Sequence, residues 1–535
     1  MRSNLNKSTR VTGLIVVLLL LMLLIMPFYI GIYTFADAIR GFEIMQEYKA
    51  GAAFNTLNYP GINSPLVSYQ VAWWAPAQWL IPFFIQMISG ITDLQLLQQI
   101  SVAFSLIFAI AGFYKIFQRL NIDPFVRNIS LLLILTSPLF YWQSLMYFGG
   151  DLFTLAFFPW FVLFLISRNS KTKLTDAVLF LLLGIIGLYI KTSFLLLIAS
   201  GGLFLFFREQ QTLKDQFRSN WHFILSAIGV LVYAKLFLLT GETPGSAYDY
   251  EGWFGVPNTL SGDLLYSPGS PVGILTTLSM FLQKTEAQSM SGIVIILSKG
   301  VLVLLSLKVV FSTIWKDQKY GKLLLLFALP YLLFFIYFYL TDKAVSYEMR
   351  HFAPIAFLFF PAILNRFVYY FGKMSLIILA ILLVTFNGLG YYENVKTLKT
   401  LPVRAGIKVS QEEAELADLL IDWDNNHSKS LFLMEEYWAP SFYIRKNDKI
   451  ILKGRKNTIV SGIELDHTDN LDKIRNINTL VQHYNEVLIV GYRENSTNLF
   501  IFAEKGQLIS SGDIGRYHWE RINLLEHAKR SIGEK

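Results

Sequence analysis

The sequence predicts a polytopic α-helical membrane protein of about eleven transmembrane helices, followed by a C-terminal soluble α/β domain. Three observations carry that expectation. Of 535 residues, 54% are hydrophobic and only 16% charged, and 44 Phe outnumber the 38 Asp and Glu together. Several windows hold roughly 18 or more apolar residues without a charge, enough to cross about 30 Å of hydrocarbon as a helix. The chain after about Tyr391 is instead rich in charge and Asn, as a segment that folds in water requires.

Val11 to Tyr33 is the first span. Its apolar run exceeds the roughly 7–15 residues of a signal-peptide core and lacks a small-residue cleavage site, so it reads as an anchor. Arg2, Lys7 and Arg10 precede it, which keeps the N-terminus in the cytoplasm and carries Thr34 onward outside. The next apolar stretch, Leu66 to Ser89, holds Pro76, Pro82, Trp73, Trp74 and Trp79, a mixture suited to an interfacial helix. If it spanned, the helix Gln95 to Phe117 would place Lys115, Arg119 and Arg127 outside. Laid in the outer interface, it puts those cations inside, and the later loops agree. Arg168, Lys171 and Lys173, then Arg208, Lys214 and Arg218, then Lys316, Lys319 and Lys322, then Lys373, all become cytoplasmic.

The first external loop therefore covers 35–94. The other external loops are Gly149 to Asp151, Lys191 to Ser193, Gly241 to about Ser291, and Thr341 to Pro354. A last span, Met374 to Leu389, releases the tail outside, which divides the chain into a membrane part, 1–391, and an extracytoplasmic part, 392–535. Within the tail, Gln411 to Trp423 and Leu471 to Tyr484 read as helices. Ser430 to Met434, Glu486 to Val490 and Leu499 to Ala503 read as strands. The protein is thus expected in the plasma membrane as a multi-pass chain.

Several function classes fall away. Cysteine is absent, which removes disulfides, thiolate zinc sites and cysteine nucleophiles. The net charge of +8 resides mainly in short loops, and no basic-aromatic module accompanies it, so nucleic acid is not an expected partner. Gly-rich phosphate loops are absent, and no His and carboxylate spacing makes a metal motif.

Ionisable groups at membrane junctions are costly unless they serve a cavity, and four outer junctions carry them. The first has Asp37, Arg40, Glu43 and Glu47; the second Asp151; the third Lys191; the fourth Asp342, Lys343, Glu348, Arg350 and His351. Cations at this surface suit a lipid phosphate, and a carboxylate suits deprotonation of an acceptor hydroxyl or amine. Each residue also has a structural reading. Asp37 would cap the first span, with Arg40 as its helical neighbour at i, i+3. Asp151 would N-cap the helix Leu152 to Ile166, and Lys191 would snorkel from a helix end. Arg350 and His351 would anchor the interface, and Trp73, Trp74 and Trp79 would form an aromatic belt.

The order of these features resembles the GT-C class of membrane glycosyltransferases, which includes protein O-mannosyltransferases and lipid A aminoarabinose transferases. Asp37-Ala38-Ile39-Arg40 stands where that class has Asp-Glu-x-Arg after span one, with Ala38 in place of Glu. Gly51, then Asn63-Ser64-Pro65-Leu66, Tyr69 and Trp73 are similar to its Pro-Pro-Leu segment and juxtamembrane helix. Asp151 matches an external Asp opening a later span, Lys191 within Lys191-Thr192-Ser193 a Lys at an outer turn, and Arg350-His351-Phe352-Ala353-Pro354 an Arg-Tyr-x-x-x-Pro pattern.

The resemblance implies a GT-C-like catalytic membrane domain. It would transfer a sugar, with inversion, from a polyprenyl-phosphate donor to a glycan, lipid or protein acceptor outside the membrane. Asp37 would be the general base and Asp151 would assist it or position the acceptor. Arg40, Lys191 and Arg350 would hold the phosphate, with Glu348, His351 and Tyr69 completing the substrate contacts. No cofactor is called for, a divalent metal being the open alternative, and membrane lipids are the remaining partners. The rival readings are a transporter or flippase, or a polymerase, of lipid-linked saccharides.

Overall fold

The structure is a computed structural model that describes residues 2–59, 67–70, 75–168, 174–207, 212–238, 308, 312, 318–340, 353–427, 429–435, 442–446, 448–452, 459–460, 463–464, 484–492 and 507–523. Along the chain, helix α1 (Arg2–Ile30) leads to a short strand β1 (Tyr33–Thr34) and helix α2 (Ala36–Lys49). A hairpin of β2 (Thr56–Tyr59) and β3 (Val67–Gln70) comes next, then α3 (Ala77–Ser89) and α4 (Leu94–Arg119). Helices α5 (Pro124–Thr136) and α6 (Pro138–Leu145), strand β4 (Met146–Tyr147), and helices α7 (Gly150–Ser167), α8 (Leu174–Ile190), α9 (Phe194–Phe206) and α10 (Leu213–Tyr233) continue the membrane part. Helices α11 (Gln318–Leu340) and α12 (Ala353–Lys399) close it.

The chain divides into two compact units. The first contains the described residues within Met1–Ile32, Leu96–Phe237 and Ala247–Thr400. Its helices follow from composition. Five are long and apolar enough to cross a membrane among the described residues: Thr9–Ile30, Leu94–Arg119, Gly150–Ser167, Asn220–Leu238 and Ala353–Lys399. The pair Pro124–Thr136 and Pro138–Leu145, bent by 51°, makes a sixth if counted as one broken span. Pro138 lacks an N–H and disfavours helical backbone at Ser137, which is where the bend falls. Helix α5 opens on Asp123, whose carboxylate accepts from the backbone N–H groups of Phe125 and Val126 at 3.0 and 3.3 Å. Helix α12 breaks at Gly372, whose φ of +80° few residues other than glycine adopt.

The surface of this unit is apolar where water would not tolerate it: Leu14, Leu18, Ile25 and Phe28 of α1, and Ile378, Ile381 and Leu389 of α12, are all exposed. A bilayer is the solvent that such a surface fits. Inside, small residues let helices close up, as packing between membrane helices favours. A Cβ on Gly112 of α4 would stand 2.5 Å from Pro159 Cβ of α7, and Trp160 Nε1 beside it donates to Phe108 O at 3.0 Å. Gly184 and Gly201 do the same service against Val230 and Phe161.

The second unit contains the described residues within Tyr33–Gln95, Leu238–Ser246 and Leu401–Lys535. Strand β1 runs parallel to β6 (Ile407–Lys408), Tyr33 facing Lys408, and β6 pairs with β5 (Val403–Arg404). Helix α13 (Gln411–Asn426) begins with a capping box: Glu413 N donates to Ser410 Oγ at 3.3 Å and Ser410 N to Glu413 Oε2 at 3.0 Å. Beyond it stand β7 (Ser430–Glu435), β8 (Asp448–Leu452), the short pair β9 (Ile459–Val460) and β10 (Ile463–Glu464), β11 (Glu486–Tyr492), β12 (Gln507–Ile514) and β13 (Tyr517–Asn523). Five of these form a mixed sheet in the order β12-β13-β11-β7-β8, with β8, β7 and β11 parallel and the last hairpin antiparallel. The parallel members are apolar on both faces, as Leu431, Phe432 and Leu433 with Val487, Leu488 and Ile489 show.

The expected helix from Gln411 and the expected strands at Ser430 and Glu486 correspond to α13, β7 and β11. The expected helix Leu471 to Tyr484 lies almost wholly outside the described residues, and the expected strand Leu499 to Ala503 entirely so. Helix α3 occupies the C-terminal part of the ambiguous stretch Leu66 to Ser89. Its 13 residues reach only about 20 Å at 1.5 Å each, too short for a bilayer core, and they leave Phe84, Met87 and Ile88 exposed.

Candidate active site

Two charged pairs stand at the residues singled out from sequence, one in each unit. In the second unit, α2 opens after an extended Phe35. Asp37 is the second residue of that helix. One turn on, Arg40 Nη1 donates to Glu43 Oε2 at 2.6 Å, with side-chain exposures of 9% and 2%. Ala38, Ile39, Phe42, Ile44 and Met45 of the same helix are buried with them. Such a pair is expensive to bury and adds less to stability than apolar packing would, which makes it a mark of use. Glu43 stands among the ionisable groups of this junction. The i, i+3 spacing was the available signal, and burial is what gives it weight.

Helix α3 presses on α2 there: a Cβ on Gly41 would stand 2.7 Å from Gln78 Cγ. Trp79, expected in an aromatic belt at the interface, is instead fully buried. Its indole N–H donates to Asn55 Oδ1 at 2.9 Å, and its ring packs with Tyr48, Phe54 and Phe83. A satisfied N–H allows a tryptophan into a core, which is why the belt reading fails here. Tyr69 sits on β3 opposite Leu57 of β2. Trp73, Trp74 and the Asn63 to Leu66 segment lie outside the described residues, as do Glu348, Arg350 and His351.

In the first unit, Gly149 takes φ +58° and α7 begins at Gly150. Asp151 is thereby inside the first turn and not the N-cap, which corrects the capping reading; no side chain caps this helix. Its carboxylate is turned to Lys191 Nζ just beyond the end of α8, with side-chain exposures of 9% for Asp151 and 19% for Lys191. Lys191 is thus held in an ion pair and does not snorkel. An acid at a helix N-terminus and a base at a helix C-terminus each also meet a favourable backbone dipole. Gly150 makes the approach possible, because a Cβ there would stand 2.8 Å from Ile190 O. Among the described residues no three His, Asp or Glu side chains gather as a metal site requires.

The remaining electrostatics of the second unit surround Tyr33. Burial raises its phenol above the ordinary value, helped by the Glu413 carboxylate and opposed by Arg516. Tyr443 is raised further, again by burial first and then Glu413, with Arg404 opposing. Burial alone lowers the Lys408 ammonium, on the strand that pairs with β1.

No family model matches the chain, and no curated protein sequence does. Solved structures do. ArnT from Cupriavidus metallidurans in the apo state aligns with a TM-score of 0.54 and 12% identity over 95% of this chain and 97% of that one. The same protein bound to undecaprenyl phosphate aligns with a TM-score of 0.50 and 10% identity over the same shares, 95% and 97%. The arabinofuranosyltransferase AftD from Mycobacteria aligns with a TM-score of 0.44 and 13% identity over 89% of this chain and 36% of that one. At these identities the likeness speaks to architecture, and the chain has the fold of ArnT, the GT-C fold to which the order of its motifs pointed.

Proposed function

We propose that this protein is an integral membrane glycosyltransferase that moves a sugar from a polyprenyl-phosphate carrier to an acceptor on the outer side of the membrane. The observation that carries the reading is the fold match to ArnT over 95% of the chain, one of the matched structures holding undecaprenyl phosphate. The two charge pairs add to it. They stand at helix ends and on a helix outside the long apolar spans, whereas transporters place ionisable groups near the bilayer midplane.

In this mechanism Asp37 takes a proton from the acceptor hydroxyl or amine as it attacks the anomeric carbon in line, inverting it. The carbon–oxygen bond to the carrier phosphate breaks with its electron pair on oxygen, and polyprenyl phosphate leaves. Arg40, Lys191 and Arg350 stabilise the phosphate charge, and Tyr69, Glu348 and His351 complete the substrate contacts. Glu43 positions Arg40 and Asp151 positions Lys191 or the acceptor. A bundle of about eleven spans with a cytoplasmic N-terminus and an extracytoplasmic α/β tail that recognises the acceptor belong to the same proposal. Asp37→Asn tests it. The variant keeps charge-free hydrogen bonding but cannot accept the proton, so transfer from radiolabelled polyprenyl-phosphate sugars to envelope acceptors falls by about 10²-fold or more while the protein stays folded in the membrane. Near-normal transfer by the variant removes Asp37 from the role of base.

A further inference from the structure

In the first unit α5 packs along both α1 and α12, which touch each other sparingly. Those two meet at one end, where Lys399 Nζ lies 5.1 Å from the Tyr29 ring centroid and donates to its hydroxyl at 3.4 Å. Toward the other end they part, and a furrow of about 580 Å³ runs between them. Ile129 and Leu132 of α5 form its floor, Val11 and Ile15 one wall, and Ala380 and Val384 the other. The rest of the lining is apolar too, except for two threonines. Ala380, with only a methyl group, leaves space that a longer side chain would fill. The mouth of the furrow is basic. Arg10 is exposed and directly precedes Val11, and Asn128 Nδ2 donates to Thr9 O at 2.9 Å, holding this turn of α1 against α5. Lys373 Nζ stands 5.5 Å over the Phe125 ring, and Phe125 lies one turn before Ile129 of the floor. Asp123 is 3.8 Å from Lys373, with side-chain exposures of 47% and 41%. An ion pair so open to solvent is weak and leaves Lys373 able to face a second anion.

Water is a poor occupant for an apolar furrow. The walls belong to helices that face hydrocarbon, since Leu14 and Leu18 of α1 and Ile378 and Ile381 of α12 are exposed. Left empty, the lining forfeits van der Waals contacts that a flexible hydrocarbon chain restores. Any lipid supplies such a chain. The cations at the mouth add a preference for a head group with net negative charge, Arg10 as a planar fork and Lys373 as a point charge. We propose that the furrow holds one acyl chain of an anionic phospholipid whose phosphate lies against Arg10 and Lys373. This lipid joins α1 to α12 where protein contacts are sparse, at a site separate from the transfer chemistry. The site requires neither the sugar donor nor a particular side of the membrane, because the lipid belongs to the leaflet that these two residues face.

Full-length protein in detergent is incubated with phosphatidylglycerol or phosphatidylcholine, each carrying a diazirine within one acyl chain. Bound lipid is counted by native mass spectrometry, and light-induced adducts are mapped on peptides. Wild type retains phosphatidylglycerol over phosphatidylcholine, with adducts within 11–15, 129–132 and 377–385. Arg10→Gln with Lys373→Gln weakens retention roughly thirty-fold, about five-fold per cation. The charge-preserving Arg10→Lys with Lys373→Arg keeps it, which separates charge from folding. Ala380→Phe fills the furrow and removes the adducts from these three segments. Equal retention of the two lipids, adducts spread over the whole apolar surface, or no loss in the neutral variant overturns the site. Displacement of phosphatidylglycerol by an equal amount of polyprenyl phosphate overturns the phospholipid as occupant.

Discussion

The Arg40–Glu43 pair gives a sharp energetic test, because exposed and buried ion pairs differ in the coupling they show. An exposed i, i+3 pair couples by about 0.3–0.5 kcal/mol. Here the side chains are 9% and 2% exposed and 2.6 Å apart, so the pair is close and largely withdrawn from water. Arg40→Met or Glu43→Leu alone leaves the other member buried without the charge it faces and costs about 3–5 kcal/mol. Against a total stability of about 5–15 kcal/mol, either loss is large. Arg40→Met with Glu43→Leu removes both charges, and the cycle returns a favourable coupling of about 2–3 kcal/mol. Denaturant unfolding of the detergent-solubilised protein measures all four corners. A coupling below about 1 kcal/mol places the pair with surface ion pairs and refutes the argument that its burial marks a functional arrangement. Transfer activity separates the two roles: the double variant regains much of its stability and stays inactive if Arg40 holds the donor phosphate.

Three further outcomes follow from the geometry. Lys191→Gln removes the cation facing the Asp151 carboxylate, whose side chain is 9% exposed; it lowers transfer and lowers stability by about 1–3 kcal/mol, both read on the same preparation, and unchanged values for both count against the pair. Gly150→Ala puts a methyl 2.8 Å from Ile190 O, forcing α7 away from α8 at a cost of about 1–3 kcal/mol; a variant as stable and active as wild type means the helices do not need that approach. At high pH, Tyr33 and Tyr443 have folded values raised above the ordinary 10.0. The unfolded state therefore releases protons first, and stability falls as pH rises past about 10. Tyr33→Phe and Tyr443→Phe flatten that decline in a pH series of unfolding curves, and an unchanged slope rejects the assignment.

Much of this was legible because membrane sequences are plain where they must be. The runs of α1 and α4 are long and apolar enough to read as spans, and the loop cations argue for laying Leu66 to Ser89 in the interface; α3, the described helix of that stretch, has 13 residues. The apolar stretches at Ser430 and Glu486 read as buried strands because parallel strands are covered on both faces. The hairpin β12-β13 was not legible, since β12 is Gln-Leu-Ile-Ser-Ser-Gly-Asp-Ile, an edge strand with mostly exposed side chains and no clear alternation. Asp151 and Lys191 were legible one by one as junction residues. Their pairing was not, because it depends on the helix starting two residues early, after Gly149, and on Gly150 admitting Ile190. Trp79 shows the same limit: a belt tryptophan and a buried one look alike until Asn55 is found beside its N–H.

The most direct measurement of the central claim is the stoichiometry of carrier release. Purified protein in vesicles is given a doubly labelled polyprenyl-phosphate sugar and an envelope extract, and free polyprenyl phosphate and glycosylated acceptor are counted together. The account predicts one polyprenyl phosphate released for each sugar joined to acceptor, both abolished by Asp37→Asn. Movement of the intact donor between leaflets, with sugar and carrier still joined, contradicts it and makes the protein a flippase.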